Sequence, residues 1–235
     1  MNEKLFDYIA VCPTAFHTCA HSADMLRESG YTELCEAQRW EIVPGGKYFV
    51  TRNGSSLIAF RVPAGEIAGF MMTAAHGDSP AFKIKENAEL PDGNYLRLSV
   101  EKYGGMLCAP WLDRPLSVAG RVLVSEGDKL SVKLVDLKDP CAIIPNVAIH
   151  MNRNANDGMS YNAAVDMLPV WMSSEKGSFR AAVAKAAGVA EDAIVTAVEF
   201  RDKDDSLIYK AANPSGVGEF EWNADGKAVI FLVTP

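Results

Sequence analysis

The stretch Gly69-Phe70-Met71-Met72-Thr73-Ala74-Ala75-His76-Gly77-Asp78-Ser79-Pro80 carries the most structural information in the chain. Seven apolar or small residues run without alternation and then break abruptly into a polar, glycine-containing loop. A continuous apolar run of this length predicts a strand buried on both faces, the kind found inside a parallel or mixed sheet. Its end delivers His76 and Asp78 to the rim where open α/β sheets hold ligands. A neutral imidazole is a good ligand for zinc, and a carboxylate two residues on is placed to accept the other ring N–H, fixing tautomer and orientation. His76 and Asp78 are therefore a candidate metal-ligand unit, although His-x-Asp also occurs simply as a loop cap.

Working outward, Pro13-Thr14-Ala15 predicts a helix start, and Phe16, Ala20, Ala23, Met25 and Leu26 continue it on one face to a stop at Gly30. Short β-rich runs follow at 47–51 and 56–62, joined through Asn53-Gly54, a strong hairpin signal. Beyond Pro91-Asp92-Gly93 the pattern predicts strands at 95–100, 116–124 and 129–137, the last two linked by Glu126-Gly127-Asp128. A helix is expected over 179–187, ended by Gly188, and 195–233 reads as strand-like runs.

Composition narrows the function. The 235 residues are 49% hydrophobic and 23% charged, enough to build a sizeable core. A net charge of -7, with Lys and Arg scattered singly among acids, excludes the basic stripe a nucleic-acid binder uses, so no nucleic-acid partner is expected. No basic-then-apolar leader and no apolar run long enough for a bilayer is present, so no membrane partner and a cytoplasmic location are expected. Five widely spaced cysteines without a C-x-x-C pair read as free thiols. Nucleophile-elbow, Walker A and dinucleotide-binding fingerprints do not occur.

Three further features bear on chemistry. His150 follows the apolar Ile143-Ile144-Pro145-Asn146-Val147-Ala148-Ile149 and is expected at a strand end, where hydrogen bonding alone also accounts for it. His17 and His21, at i and i+4, share a helix face that could chelate metal, but ordinary helix surface is the simpler reading. Tyr103-Gly104-Gly105 and Trp111-Leu112-Asp113-Arg114-Pro115 mark loops suited to close backbone approach, packing or a subunit contact.

Taken in order, several segments resemble the aspartyl aminopeptidase family of zinc metallopeptidases. They are Pro13-Thr14-Ala15-Phe16-His17, Gly46-Lys47-Tyr48-Phe49-Val50-Thr51-Arg52-Asn53, Ala75-His76-Gly77-Asp78-Ser79-Pro80, Glu101-Lys102-Tyr103-Gly104-Gly105, Trp111-Leu112-Asp113-Arg114, Leu116-Ser117-Val118-Ala119-Gly120-Arg121-Val122, and Ile144-Pro145-Asn146-Val147-Ala148-Ile149-His150-Met151-Asn152-Arg153. The resemblance implies an α/β fold with a β-rich insert: part of a zinc-aminopeptidase catalytic domain over 1–86, then a β-rich dimerisation domain with a divergent tail over 87–235. It also implies two zinc ions per complete site, release of N-terminal Asp or Glu from peptides, and a homo-oligomer. By motif, His76 is implied as a zinc ligand and Asp78 as its orienting carboxylate. His150 is implied to contact substrate or metal, in a neighbouring subunit's site.

The departures matter equally. The family pattern calls for a bridging Asp, an adjacent Glu-Glu pair, a further Asp and a C-terminal His, yet this sequence has no Glu-Glu dipeptide and no His after His150. Asp204-Asp205, preceded by Arg201-Asp202-Lys203, is a poor substitute for the bridging Asp, and Glu219 and Glu221 are not adjacent. The expectation is a chain inactive by itself: a truncated form, half of a split enzyme completed by a second polypeptide, or a noncatalytic oligomerisation or regulatory module.

Overall fold

A computed structural model describes residues 2–173 and 177–197. The chain divides into two compact units between Ser79 and Pro80. The expected division at 86/87 falls within a strand that runs from Ala81 to Asp92.

The first unit begins with helix α1 (Asn2–Val11) and helix α2 (Ala15–Glu28). At the start of α2, Thr14 has extended dihedrals and its Oγ1 accepts from the His17 N–H, as an N-cap should. At its end, the Gly30 N–H donates to Arg27 O and the Tyr31 N–H to Leu26 O, with Gly30 at φ 77°. This paired closure needs a left-handed residue, which glycine adopts without a Cβ clash. Strands β1 (Thr32–Glu33), β2 (Lys47–Arg52) and β3 (Ser56–Arg61) form a sheet in that order, β1 parallel to β2 and β2 antiparallel to β3. Asn53 (φ 54°) and Gly54 (φ 64°) turn β2 into β3, the two positive φ values of a type I′ hairpin. Cys19, Ala23 and Leu26 of α2 pack on Phe49, Leu57 and Ala59 of the hairpin.

The second unit contains β4 (Ala81–Asp92), β5 (Tyr95–Tyr103), β6 (Pro115–Leu116), β7 (Ala119–Glu126), β8 (Lys129–Asp136), β9 (Ala142–Ile143), β10 (Val170–Ser173), helix α3 (Phe179–Ala187) and β11 (Ile194–Ala197). Two sheets result, in the orders β4-β5-β10-β9-β6 and β11-β7-β8. One apolar cluster draws on both: Ile84, Leu96, Leu98, Val100 and Trp171 from the first, Val122, Val124, Val135 and Ile194 from the second. The buried face of α3, Phe179, Val183 and Ala184, belongs to the same cluster, with Phe179 edge-on to Trp171 at 5.2 Å. Ser178 caps α3 by accepting from the Ala181 N–H at 2.9 Å, and Gly188 closes it in the left-handed region. The Glu89 carboxylate also accepts from the Phe179 and Arg180 N–H groups, at 2.6 and 3.2 Å. It satisfies two otherwise orphaned donors where the helix end favours negative charge.

The mixed α/β architecture with its β-rich second part agrees with the expected fold. Strands at 47–52, 56–61, 95–103, 119–126 and 129–136 and the helices at 15–28 and 179–187 fall where expected. The strand expected over 69–75 is corrected: 62–80 contains no regular element, and Phe70, Met71 and Met72 are at least half exposed. A strand buried on both faces needs neighbours on either edge, and none of the described strands pairs with this one. β4 and α1 were not anticipated. Charged residues and a register shift between Ile84 and Glu89 break the alternation that would have revealed β4. Most of the strand-like runs expected over 195–233 lie outside the described residues.

The five cysteines are free thiols, as expected. Burial pushes the Cys19 thiol up to about 11, so it stays protonated through neutral and mildly alkaline pH. Ellman's reagent at pH 8 should therefore react with exposed Cys35 well before Cys19, with Cys19 reacting only on unfolding. Replacing Glu89 with Ala should cost the second unit about 1 kcal/mol in chemical denaturation, and Glu89→Gln, which keeps an acceptor, should cost less.

Candidate functional site

His76 and Asp78 lie at the end of the irregular 62–80 segment of the first unit. The His76 Nδ1 is 3.1 Å from Asp78 Oδ1. An ionised carboxylate only accepts, so Nδ1 carries the proton and donates; in the neutral ring this tautomer leaves the lone pair on Nε2. The His76 side chain is 85% exposed and that of Asp78 34%. A ring oriented through Nδ1 with an open Nε2 is the geometry of a metal-ligating histidine backed by a carboxylate. Gly77 between them sits within 3.6 Å of Thr18 Cγ2 when a Cβ is built on it, an ordinary contact, so the loop is held beside α2 without requiring glycine for space.

One such unit is not a metal centre. Among the described residues no group of three or more His, Cys, Asp or Glu side chains is placed to hold an ion. The residues present thus fit zinc as one donor with its orienting carboxylate, and fall short of the several donors that a two-metal site draws around its ions.

His150 belongs to the second unit and not to a strand end. β9 stops at Ile143, a single parallel bridge joins Leu112 to Ile144, and Pro145 lacks the N–H that would continue pairing. The chain then turns at 148–151, where the Met151 N–H donates to Ala148 O at 2.8 Å and exposed His150 lies at the corner. This loop is tied back to the tryptophan motif. Asp113, at φ 56°, accepts from the Asn146 N–H through Oδ1 at 2.9 Å, while its own N–H donates to Ile144 O at 2.9 Å. Further along, Asn162 and Asp166 bind backbone N–H groups within the same connection, the usual use of short polar side chains in irregular chain. The role of Asp113 as the anchor of the His150 loop was not read from the sequence.

The remaining motif residues are structural here. His17 Nδ1 is 2.8 Å from the capping Thr14 Oγ1, and the His21 ring lies tilted against Tyr8 at 5.3 Å, so both histidines of the i, i+4 pair have local partners. Gly104, at φ 79°, lies against Pro80, where a Cβ would meet the proline Cα at 3.5 Å. Phe82 packs edge-on to Trp111 at 5.1 Å, and Lys83 Nζ lies 4.1 Å over the Tyr103 ring.

Removing the Asp78 acceptor should release the ring. In Asp78→Ala the neutral His76 is expected to shift from the Nδ1–H towards the Nε2–H tautomer preferred by an unconstrained histidine side chain, read from the ring ¹⁵N chemical shifts in a long-range ¹H–¹⁵N spectrum. Unchanged shifts would show that the 3.1 Å contact does not orient the ring.

The comparisons with known proteins agree with this picture. The sequence profile described as Aminopeptidase I zinc metalloprotease (M18) matches residues 8–204. A probable M18 family aminopeptidase 2 from Azotobacter vinelandii is 42% identical over 190 residues, 79% of this chain and 44% of the relative. That from Clostridium acetobutylicum is 46% identical over 173 residues, 72% of this chain and 40% of the relative. The chain thus spans less than half the length of these curated relatives. Among solved structures, Chaetomium thermophilum mApe1 superposes with a TM-score of 0.71 at 34% identity, over 83% of this chain and 48% of that one. Ape4, solved as a complex with Nbr1, gives 0.74 at 31% identity, over 80% and 41%. With a family profile covering most of its length and its fold shared with these aminopeptidases, the chain belongs to the M18 family of zinc metalloproteases.

Proposed function

We propose that the chain is an aspartyl-aminopeptidase-like metallopeptidase, here in a truncated or split form that is inactive alone. The reaction is hydrolysis of N-terminal Asp or Glu from peptides by two-zinc chemistry, carried out when the missing donors are supplied. The observation that carries this reading is the His76–Asp78 pair, oriented as a metal-ligand unit within a chain whose M18 match covers residues 8–204.

Within that reaction, His76 offers Nε2 as one zinc donor and Asp78 holds the ring. His150, on its exposed turn, contacts substrate or metal in the active site of a neighbouring subunit, which makes a homo-oligomer part of the proposal. Bound zinc would supply Lewis-acid activation of water and of the scissile carbonyl. The Glu that acts as general base and the remaining ligands come from a second polypeptide bearing the rest of the catalytic domain. The cytoplasm, with its reduced thiols, is the proposed location, consistent with five free cysteines.

A second reading is a noncatalytic oligomerisation or regulatory module derived from the same family. It is favoured by the lack of any three-donor cluster among the described residues.

The chain with Zn²⁺, Mn²⁺ or Co²⁺ is expected to release no Asp or Glu from N-terminal aspartyl or glutamyl peptides. Addition of a polypeptide carrying the Asp, Glu-Glu, Asp and His elements should restore release, and His76→Ala should abolish the restored activity. Turnover by the chain alone would refute its inactivity, whereas no restoration would favour the noncatalytic module.

A further inference from the structure

Ile144 and Met167 are fully buried, and no residue between them is. His150 stands inside this stretch, and the apolar residues around it, Val147, Ile149 and Met151, are 49, 48 and 80% exposed. Packing against the interior therefore does not fix the direction in which this histidine is presented. Hydrogen bonds remain, and most are local. Asn146 Oδ1 accepts from the Val147 N–H, Ala148 O from the Met151 N–H, Asn152 Oδ1 from the Asn154 N–H and Asp166 Oδ2 from the Asn162 N–H. Among the described residues one hydrogen bond ties 145–166 to the rest of the second unit, from the Asn146 N–H to Asp113 Oδ1 at 2.9 Å.

Asp113 grips both sides of Pro145. Its own N–H donates to Ile144 O at 2.9 Å, so it binds the carbonyl before the proline and the amide after it, while the proline ring restricts φ between them. Asp113 does this at φ 56°, a left-handed conformation uncommon outside glycine. A side chain held there against the steric cost, with its carboxylate spent on one distant amide, answers a geometric demand.

We propose that Asp113 is a positioning residue for His150. Its carboxylate holds Asn146, sets where the turn at 148–151 begins, and so fixes the direction in which the imidazole is offered to substrate or metal. The inference rests on the role given to His150 in the functional reading above and names the group that enforces it. A carboxylate acceptor suits the task, because charge-assisted hydrogen bonds are roughly twice as strong as neutral ones.

Two substitutions in the full chain separate the clasp from the backbone. Asp113→Asn keeps an oxygen acceptor and tolerates the left-handed region, whereas Asp113→Gly keeps only the backbone freedom. Backbone ¹⁵N relaxation in a TROSY spectrum of the deuterated chain should show 146–151 ordered in the wild type and in Asp113→Asn. In Asp113→Gly the order parameters there should fall below about 0.6, with those of α3 unchanged. In the chain restored by the complementing polypeptide, Asp113→Gly should lower kcat about tenfold or more with KM little altered, and Asp113→Asn should recover most of the loss. Added to His150→Ala, Asp113→Gly should cause no further loss, because its effect passes through that ring.

A loop already mobile in the wild type, or unchanged by Asp113→Gly, overturns the clasp. Losses that multiply in the double variant overturn positioning, since a structural defect acts whether or not the imidazole is present. If the unsubstituted chain regains no activity, the functional reading falls, and the relaxation result alone decides whether Asp113 holds the loop.

Discussion

The second unit depends on one apolar face of α3. Phe179, Val183 and Ala184 share a single interior with residues of both sheets. The Phe179 ring meets Trp171 of the five-stranded sheet, while Val183 and Ala184 share the cluster with Val122, Val124 and Val135 of the three-stranded one. The helix is fixed at its first turn by Ser178 and Glu89, the latter from a strand 90 residues earlier in the chain. Local capping and long-range packing therefore meet at Phe179, whose N–H and ring are both engaged.

Most of the regular structure was legible from residues whose local chemistry matched their tertiary setting. Thr14 and Gly30 bracket α2 by capping alone, Asn53-Gly54 forces a hairpin through its positive φ values, and β5, β7 and β8 alternate because one face of each meets the α3 core. The failures have equally local causes. β4 hides its two buried residues, Ile84 and Ala88, behind a register shift and a run of charge. Residues 69–75 have the composition of a central strand, but composition specifies only that the segment should be flanked. It does not supply the flanking strands.

The candidate site was legible to the same depth. The pairing of His76 with Asp78 follows from a two-residue spacing across a glycine, short enough for one loop to determine it. The position of His150 did not follow, because Pro145 and the clasp of Asp113 on Asn146 replace the expected strand end with an exposed turn. A site assembled from distant elements needs donors that local sequence cannot bring together. The two histidines accordingly stand in separate compact units, each with its own interior.

The exposure of Met71, Met72 and Met151, at 82, 69 and 80%, has a chemical consequence for handling and for the cell alike. Thioethers this accessible are the first to meet peroxide, and sulfoxide formation turns a pliable apolar contact into a polar, chiral one. Two of them precede His76 by only a few residues and the third adjoins His150. Oxidative damage would thus concentrate beside both candidate histidines, and methionine sulfoxide reductases would be the means of reversing it.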